Sequence, residues 1–288
     1  MKSRILLLAL GTTLAFNACV KEDQSLPDVP LSEQRMLGVQ FQPADVYNQF
    51  PKADLGAIAK AQGYTDIPLS LPVSYAITGA PVGDQGGEGS CVAWATAYAT
   101  ASALEYNAKG TSFPTATRSP EYVYNQIKIG GCGGGAYVTD GLNLIKNQGV
   151  CSWSEMPYTD AGCSTMPNAT QTSAASMHKF SSWATVAYTN LTQVKTLISM
   201  NLPVIIAITV DQSFYNMSKT NWIWTSHKGR QYGGHAIAVI GYDDNKQAFK
   251  VQNSWGTSWG QQGYFWISYS FFAKTTNGAV NECYVAYM

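Results

Sequence analysis

The sequence predicts an α+β fold of two lobes, helical in its first half and strand-rich in its second. Helical signals extend from Cys91 to about residue 180, and β-branched or aromatic runs typical of strands follow up to residue 288. Runs of helices followed by runs of strands are typical of the α+β class. The chain has 288 residues, of which 45% are hydrophobic. That is enough for one sizeable domain or two close-packed lobes.

The charge balance excludes nucleic acid as an expected partner. Lys+Arg and Asp+Glu are equal at 18 each, and the chain has no basic run. Charged residues make up 12% of the chain, about half the usual share for soluble domains. The low charge and the 17 tyrosines are compatible with an exported protein. We expect a monomer.

Residues 1–18 have the form of an export signal. A positive start is followed by a short apolar core from Ile5 to Phe16, and a small residue precedes Cys19. Cys19 resembles the lipidation site of bacterial lipoproteins, and residues 20–23 (VKED) resemble a tag for outer-surface display. We therefore expect lipid anchoring in the outer membrane, at the cell surface. The alternative is an ordinary cleaved signal, which gives a periplasmic or secreted protein.

Residues 19–68 are predicted to be a tether with a small extension before the main domain, 69–288. The segment contains several prolines and little helical periodicity, and its best helix candidate is Ala53 to Gln62. Two interpretations stay open. The segment is either a short propeptide that covers an active site or a linker.

The helical lobe, about 91–180, has clear helix start and stop signals. A long apolar helix begins at Cys91 and should end near Gly110. Ser119-Pro120 starts a helix predicted over Glu121 to Lys128. Residues 130–135 (GGCGGG) form a glycine loop that permits close backbone approach, and Thr139 or Asp140 should cap a helix ending at Gly149.

The second lobe, about 181–288, keeps one predicted helix and then turns to strands. The helix is predicted near Asn190 to Met200. The strands are predicted at Val204 to Val210, His235 to Tyr242, Phe249 to Gln252, Gly263 to Ser268 and Glu282 to Tyr287. Residues 243–246 make the turn between the second and third of these strands.

Cys91 is the first candidate for chemistry. It follows a glycine-rich loop and opens the long helix, where unpaired backbone N–H groups favour a thiolate. The Gln85 side-chain amide lies six residues upstream, within reach of a group that Cys91 attacks. The alternative is a small buried cysteine in an alanine-rich core helix.

His235 and Asn253 favour the reactive cysteine. Of three histidines, His235 alone lies at a strand start behind two glycines, and an imidazole is suited to accept a thiol proton. Asn253 ends the neighbouring strand of the same hairpin, so its amide should reach the His235 ring. Trp255 is positioned to cover that hydrogen bond from water.

Together these motifs resemble the papain family of cysteine peptidases over about residues 70 to 288. The matching stretches, in family order, are Gln85, Gly89-Ser90-Cys91, Gly131 to Gly135, Gly234-His235-Ala236 and Asn253 to Gly260. The resemblance implies a helical lobe and an antiparallel, β-barrel-like lobe with the active-site cleft between them. It also implies protein or peptide substrates, cleavage through a covalent acyl-enzyme, and no cofactor.

The resemblance also implies a role for each matching residue. Cys91 resembles the nucleophile, His235 the base and then the acid, and Asn253 the group that orients it. Gln85 and the Cys91 backbone N–H resemble the oxyanion hole. The remaining residues implied to contact substrate or shield the site are Gly134, Gly135, Ala136, Gly234 and Trp255. The side-chain pocket should be apolar and uncharged, and the lack of a long insertion favours an endopeptidase.

The chain departs from the family pattern at two positions near the nucleophile. Glu88 stands where the family has a disulfide-forming cysteine, and Val92 stands where it has a tryptophan. Four other cysteines allow three pairings, of which we favour Cys132 with Cys163 because both should lie in the helical lobe near the cleft. No cysteine spacing resembles a zinc site, so we expect no metal.

Two other functions stay open. One is a catalytically silent relative that binds peptides or host proteins. The other is a transferase or amidase that uses the same three residues on a non-protein substrate.

Overall fold

The computed structural model describes residues 28–31, 34–68 and 70–288. The predicted signal, residues 1–18, and the predicted lipid site, Cys19, lie outside the described residues. Within the described ranges, no helix is long and apolar enough to cross a membrane.

The helices lie mainly between the N-terminus and residue 200. They are α1 (Ala44–Tyr47), α2 (Leu55–Ala61), α3 (Cys91–Ala93), a π-helical stretch (Trp94–Ala101), α4 (Ser102–Lys109), α5 (Pro120–Ile127), α6 (Val138–Asn147), α7 (Ala169–Ala175), α8 (Leu191–Ser199), α9 (Gln212–Tyr215) and α10 (Tyr269–Phe272). The stretch from α3 to α4 is one continuous helix that begins at Cys91. It ends at Gly110, whose left-handed backbone (φ 67°) suits a glycine.

Side-chain caps fix the starts of two predicted helices. Ser119 accepts a hydrogen bond from the Tyr122 N–H at the start of α5, and Asn190 accepts one from the Gln193 N–H at the start of α8.

The predicted capping of α6 by Thr139 is wrong, whereas Asp140 takes part in the helix start. That helix begins at Val138, directly after a short strand; the Tyr137 side chain does not cap it, and the Asp140 carboxyl accepts a hydrogen bond from the Tyr137 backbone N–H. The Thr139 hydroxyl is 2.7 Å from the Gln42 side-chain nitrogen, so it accepts a hydrogen bond from the N-terminal extension instead.

The strands form one large, mostly antiparallel sheet. They are β1 (Val39–Gln40), β2 (Ser74–Ala76), β3 (Ala136–Tyr137), β4 (Ser182–Thr185), β5 (Val204–Asp211), β6 (Ile223–Trp224), β7 (Gln231–Asp243), β8 (Ala248–Gln252), β9 (Tyr264–Ser268) and β10 (Val280–Tyr287). The main order is β4-β10-β5-β7-β8-β9-β6, with β1, β2 and β3 attached beside it.

The α+β prediction is confirmed, but the barrel-like description of the second lobe is wrong. Across the described strands, the sheet stays open between the edge strands β4 and β6. Both edges are short, at four and two residues, and the right-handed twist of the sheet curves it without bringing them together.

The long helix packs against the centre of this sheet. Its π-helical stretch contacts β7 and β5, and α3 contacts β7. Four alanines in this stretch, Ala95, Ala97, Ala99 and Ala101, are buried. Their small side chains let the helix approach the sheet closely, which brings the Cys91 end of the helix onto β7.

The N-terminal extension is part of the folded domain over residues 34–64. The Ala53 N–H donates to the Thr185 carbonyl at 2.8 Å, and the Gln62 side chain donates to the Met288 carbonyl at 2.7 Å. Ile58 in α2 is only 1% exposed and belongs to the main hydrophobic core. These contacts are not those of a free linker.

We therefore expect Ile58→Ala to destabilise the whole domain. Removing a buried isoleucine side chain costs about 2–5 kcal/mol of unfolding free energy. Chemical denaturation of the full chain measures it, with Lys60→Ala, an exposed change in the same helix, as the matched control. Equal stability of the two variants would show that α2 does not contribute to the core.

Candidate active site

Cys91 lies at the start of the long helix and is fully buried. Burial raises the pKa of its thiol to about 11, an effect that backbone N–H groups partly oppose, those of Ala236 and Gly38 among them. These N–H groups place the thiol between β7, just after His235, and the N-terminal extension. In this covered state the thiol is neutral.

His235 is fully buried on β7 and is held by Asn253, the first residue after β8. Its Nε2 lies 2.8 Å from Asn253 Oδ1, which also accepts a hydrogen bond from the Ser254 N–H at 2.8 Å. Since this amide oxygen only accepts, Nε2 of the neutral ring must carry the hydrogen. Nδ1 is then a lone-pair acceptor, and it has no hydrogen-bond partner among the described residues.

Burial also controls the charge of the histidine. It lowers the pKa of His235 to about 4, with the Asn253 hydrogen bond acting in the opposite direction. The imidazole is therefore neutral at ordinary pH and is able to accept a proton at Nδ1.

Trp255 shields this pair, as its sequence position indicated. Its ring centroid lies 4.9 Å from that of His235, and the Trp255 side chain is fully buried. Phe214, Tyr215 and Trp259 pack around the indole at centroid distances of 5.2 to 5.4 Å. This aromatic cluster keeps water away from the His235–Asn253 hydrogen bond.

Gln85 is anchored so that its amide points into the cleft. Its Oε1 accepts from the Ser254 hydroxyl at 2.7 Å, and its backbone N–H donates to the Ser254 carbonyl at 2.8 Å. Its Nε2 donates to the Glu88 carbonyl at 3.0 Å and to the Met36 carbonyl at 2.9 Å. A backbone carbonyl of the extension thus occupies the place predicted for an oxyanion.

The extension crosses the cleft as residues 34–42, which we call the cleft segment. Within it, β1 pairs in parallel with β3, and Val39 also pairs with Gly234 of β7. The Gly38 carbonyl accepts from the Ala136 N–H at 2.7 Å. Between the two open interpretations of the extension, this placement favours the one in which it covers the site.

Four of the residues predicted to contact substrate contact this segment. Ala136 and Gly234 do so through β-pairing. Gly134 accepts a hydrogen bond from the Gln40 side chain at 3.5 Å, and a Cβ on Gly135 would lie 2.1 Å from the Gly38 carbonyl oxygen. The cleft segment therefore fills the space expected for substrate. A cavity of about 930 Å³ lies elsewhere, on the helical lobe, and none of its lining residues is a predicted site residue.

Sequence reasoning missed a buried carboxyl group beside the cleft segment. Glu282 is 3% exposed, accepts hydrogen bonds from the Gln42 N–H and the Tyr284 hydroxyl, and has a pKa raised by burial. A lone acidic residue within an apolar strand was the available signal.

The structure joins Cys132 and Cys163 in a disulfide, the pairing that the sequence favoured. Cys151 and Cys283 are buried free thiols. Glu88 brings a carboxyl oxygen within 4.8 Å of both disulfide sulfurs. Because the two sulfurs are bonded to each other, this group is not a set of metal ligands.

Comparisons with known proteins agree with this arrangement. Residues 74–287 match the family model described as papain family cysteine protease. The chain is 32% identical over 211 residues to gamete and mating-type specific protein A of Dictyostelium discoideum, covering 70% of this chain and 43% of that protein. It is 28% identical over 202 residues to cathepsin K of Mus musculus, covering 69% and 57% respectively. The chain thus spans about half the length of these relatives.

Solved structures share the fold. Xylellain, a cysteine protease from Xylella fastidiosa, superposes with a TM-score of 0.71 at 23% identity, covering 88% of this chain and 96% of that one. The digestive procathepsin L2 of Tenebrio molitor gives a TM-score of 0.64 at 19% identity, covering 89% and 79%. These likenesses confirm the papain-like fold, and with the match over residues 74–287 the chain belongs to the papain family of cysteine proteases.

Proposed function

We propose that this chain is a thiol-dependent endopeptidase in which Cys91 is the nucleophile. The observation that carries the proposal is the His235–Asn253 hydrogen bond, which leaves a buried Nδ1 without a partner beside the cysteine-bearing helix. A structural cysteine does not require such a base. The relatives named as cathepsins and proteases support the same assignment.

The first half of the reaction forms an acyl-enzyme. His235 Nδ1 takes the thiol proton while the Cys91 sulfur bonds to the carbonyl carbon of the substrate. The negative carbonyl oxygen is stabilised by the Gln85 amide and the Cys91 backbone N–H. The His235 imidazolium then gives its proton to the departing amine as the C–N bond breaks, which leaves a thioester on Cys91.

The second half reverses these roles. His235 takes a proton from water, and the resulting hydroxide attacks the thioester carbon. The C–S bond breaks, the carboxylic acid product leaves, and the proton on His235 returns to the Cys91 sulfur. Asn253 keeps the ring oriented throughout.

We further propose that the cleft segment keeps the enzyme latent. It occupies the Gln85 amide, the Gly135–Ala136 edge and Gly234, all of which substrate would need. It also excludes water, so the pKa values of about 11 for Cys91 and about 4 for His235 oppose formation of a thiolate–imidazolium pair. Displacing the segment readmits water and brings these pKa values closer together.

We expect Cys91→Ser and His235→Ala to fold normally and to lose at least about 1,000-fold in kcat, because each removes a group that acts in bond making. Asn253→Ala should lose less, since it orients the base. A peptide library and a thiol-directed epoxide measure cleavage and labelling of Cys91 in the full chain carrying Gly38→Val, because a valine at residue 38 does not fit beside the Gly89 carbonyl oxygen and opens the cleft. No labelling of this folded, opened protein would contradict both enzyme functions, and labelling without peptide cleavage would favour a transferase or amidase.

Gly38→Val should release the latency. A Cβ at residue 38 would lie 1.8 Å from the Gly89 carbonyl oxygen, so a valine does not fit in the cleft. An open state populated at about 0.1–10% in the parent would become dominant. Peptide cleavage and Cys91 alkylation should therefore rise by about 10- to 1,000-fold.

The matched control is Gly56→Ala, at an extension glycine whose added Cβ would meet only the Asp54 side chain at 3.4 Å. It should leave both rates unchanged. If Gly38→Val behaves like this control, the segment does not limit access to Cys91.

We also propose export of the protein and lipid attachment at Cys19, which the sequence around that residue supports. The expected result is incorporation of a labelled fatty acid by the parent in a Gram-negative host and its loss in Cys19→Ala. Protease treatment of intact cells then separates surface display from a periplasmic location. Equal labelling of parent and variant would contradict lipidation at this residue.

A further inference from the structure

Glu88 is a buried carboxyl group that the reaction scheme does not use. It lies in the loop between Gln85 and Cys91, the two residues proposed to bind the oxyanion, and is 1% exposed. Its Oε1 has no hydrogen-bond partner among the described residues. Its Oε2 lies 3.3 Å from the Tyr158 hydroxyl oxygen. Burying such a group is costly unless it is hydrogen-bonded or neutral.

The hydrogen-bond donors and acceptors around the Tyr158 hydroxyl indicate whether Glu88 is protonated or ionised. The Tyr158 hydroxyl oxygen lies 2.7 Å from the Gln85 carbonyl oxygen and 2.7 Å from the Ser90 hydroxyl. A tyrosine hydroxyl has one hydrogen and two acceptor sites. The Gln85 carbonyl only accepts, so it receives the Tyr158 hydrogen. Ser90 then donates to Tyr158, and Glu88 makes its hydrogen bond only if it supplies a hydrogen.

Ionised Glu88 would break this arrangement. A carboxylate has no hydrogen to donate, so it would draw the Tyr158 hydrogen away from the Gln85 carbonyl. That carbonyl belongs to the residue whose side chain reaches the cleft, and Ser90 directly precedes Cys91. The proton on Glu88 is therefore coupled to both ends of the oxyanion-binding loop.

The charges around Glu88 favour its neutral form. Glu121 of α5 and Asp160, in the loop between α6 and α7, carry the same sign, Lys128 opposes them, and Tyr124 faces the same space. The nearby Cys132–Cys163 disulfide is uncharged. Burial, followed by Glu121, raises the pKa of Glu88 to about 7, and only a hydrogen donated by Tyr158 to the ionised carboxylate would act in the opposite direction.

We propose that Glu88, in its protonated form, is a positioning residue for the oxyanion hole, acting through Tyr158 on Gln85 and Ser90. This inference rests on the proposed peptidase function. Because the folded-state pKa lies above the ordinary value of 4.5, the neutral form and the stability that it contributes are fully present below pH 4.5. Both are lost as the pH rises through about 7.

The test compares pH profiles in the full chain carrying Gly38→Val. From pH 6 to pH 8.5 the kcat of this parent should fall by at least about 10-fold, within the 100- to 1,000-fold that one oxyanion donor is worth. Glu88→Gln is neutral at every pH and donates a hydrogen through its amide, so it should keep its rate across the range. Glu88→Leu is neutral without a donor and should be slow throughout.

Two further measurements separate positioning from a general loss of structure. Alkylation of Cys91 by iodoacetamide forms no oxyanion, so its pH profile should be the same in the parent and in Glu88→Gln. In a Tyr158→Phe background, Glu88→Gln should cause no further change, because the coupling group is absent. The proposal would be overturned if Glu88→Gln kept the alkaline fall in kcat. It would also be overturned if this variant changed the pH profile of Cys91 alkylation as much as that of kcat.

A peptide aldehyde distinguishes failure of this inference from failure of the proposed function. Its carbonyl carbon bonds to the Cys91 sulfur, and the hemithioacetal oxygen takes up the thiol proton or lies as an anion in the oxyanion hole without turnover. If the parent cleaves no peptide, the proposed function fails. The pH dependence of aldehyde affinity then decides on Glu88 alone: a fall of at least about 10-fold in the parent and none in Glu88→Gln supports it, and equal profiles overturn it.

Discussion

The pairing of β7 with β8 is the constraint on which the site depends. Ala238 lies opposite Gln252, so the next residue, Asn253, comes alongside Ile237, two residues from His235. That register produces the 2.8 Å hydrogen bond that fixes the imidazole. A slip of one residue would turn every side chain of β8 to the other face of the sheet. β7 also pairs with β5, β2 and β1, so the position of the base is set by several strands at once.

Strand β7 also explains why the site is not covered by the cleft segment and reactive toward substrate at the same time. At its glycine-rich start, β7 pairs with the cleft segment through Gly234, and the extended substrate proposed above would pair with the same residue. When the cleft segment lies there, Cys91 and His235 are sealed from water. Charge separation between them is then costly, because a buried ion is stable only with compensating partners. Displacement of the cleft segment would therefore open the site to substrate and to water at the same time.

Local signals predicted much of this structure. Ser119, Asn190 and Gly110 mark helix ends by short-range hydrogen bonds or a left-handed backbone, and the structure has those ends. Cys91 and Asn253 were found because each lies at the end of a regular element, whereas the strand predicted to start at His235 begins four residues earlier, at Gln231. The two-residue strands β1 and β6 carry no periodicity, and their partners lie far along the chain. Pairing of this kind is set by tertiary contact, which a local pattern does not encode.

At Glu88 the chain departs from the family pattern, and contacts with distant parts of the chain change how this residue is interpreted. In the sequence, Glu88 only indicated that the family's disulfide at that position is missing. In the fold, hydrogen bonds hold the loop instead: the Gly89 N–H donates to the Cys132 carbonyl at 2.9 Å and the Gly87 N–H to Asp160 at 3.0 Å. A disulfide does not titrate, so it holds a loop in the same way whatever the pH. A network that includes a carboxylic acid holds it only while that acid keeps its proton, so exchanging one for the other makes the geometry of the oxyanion hole depend on pH.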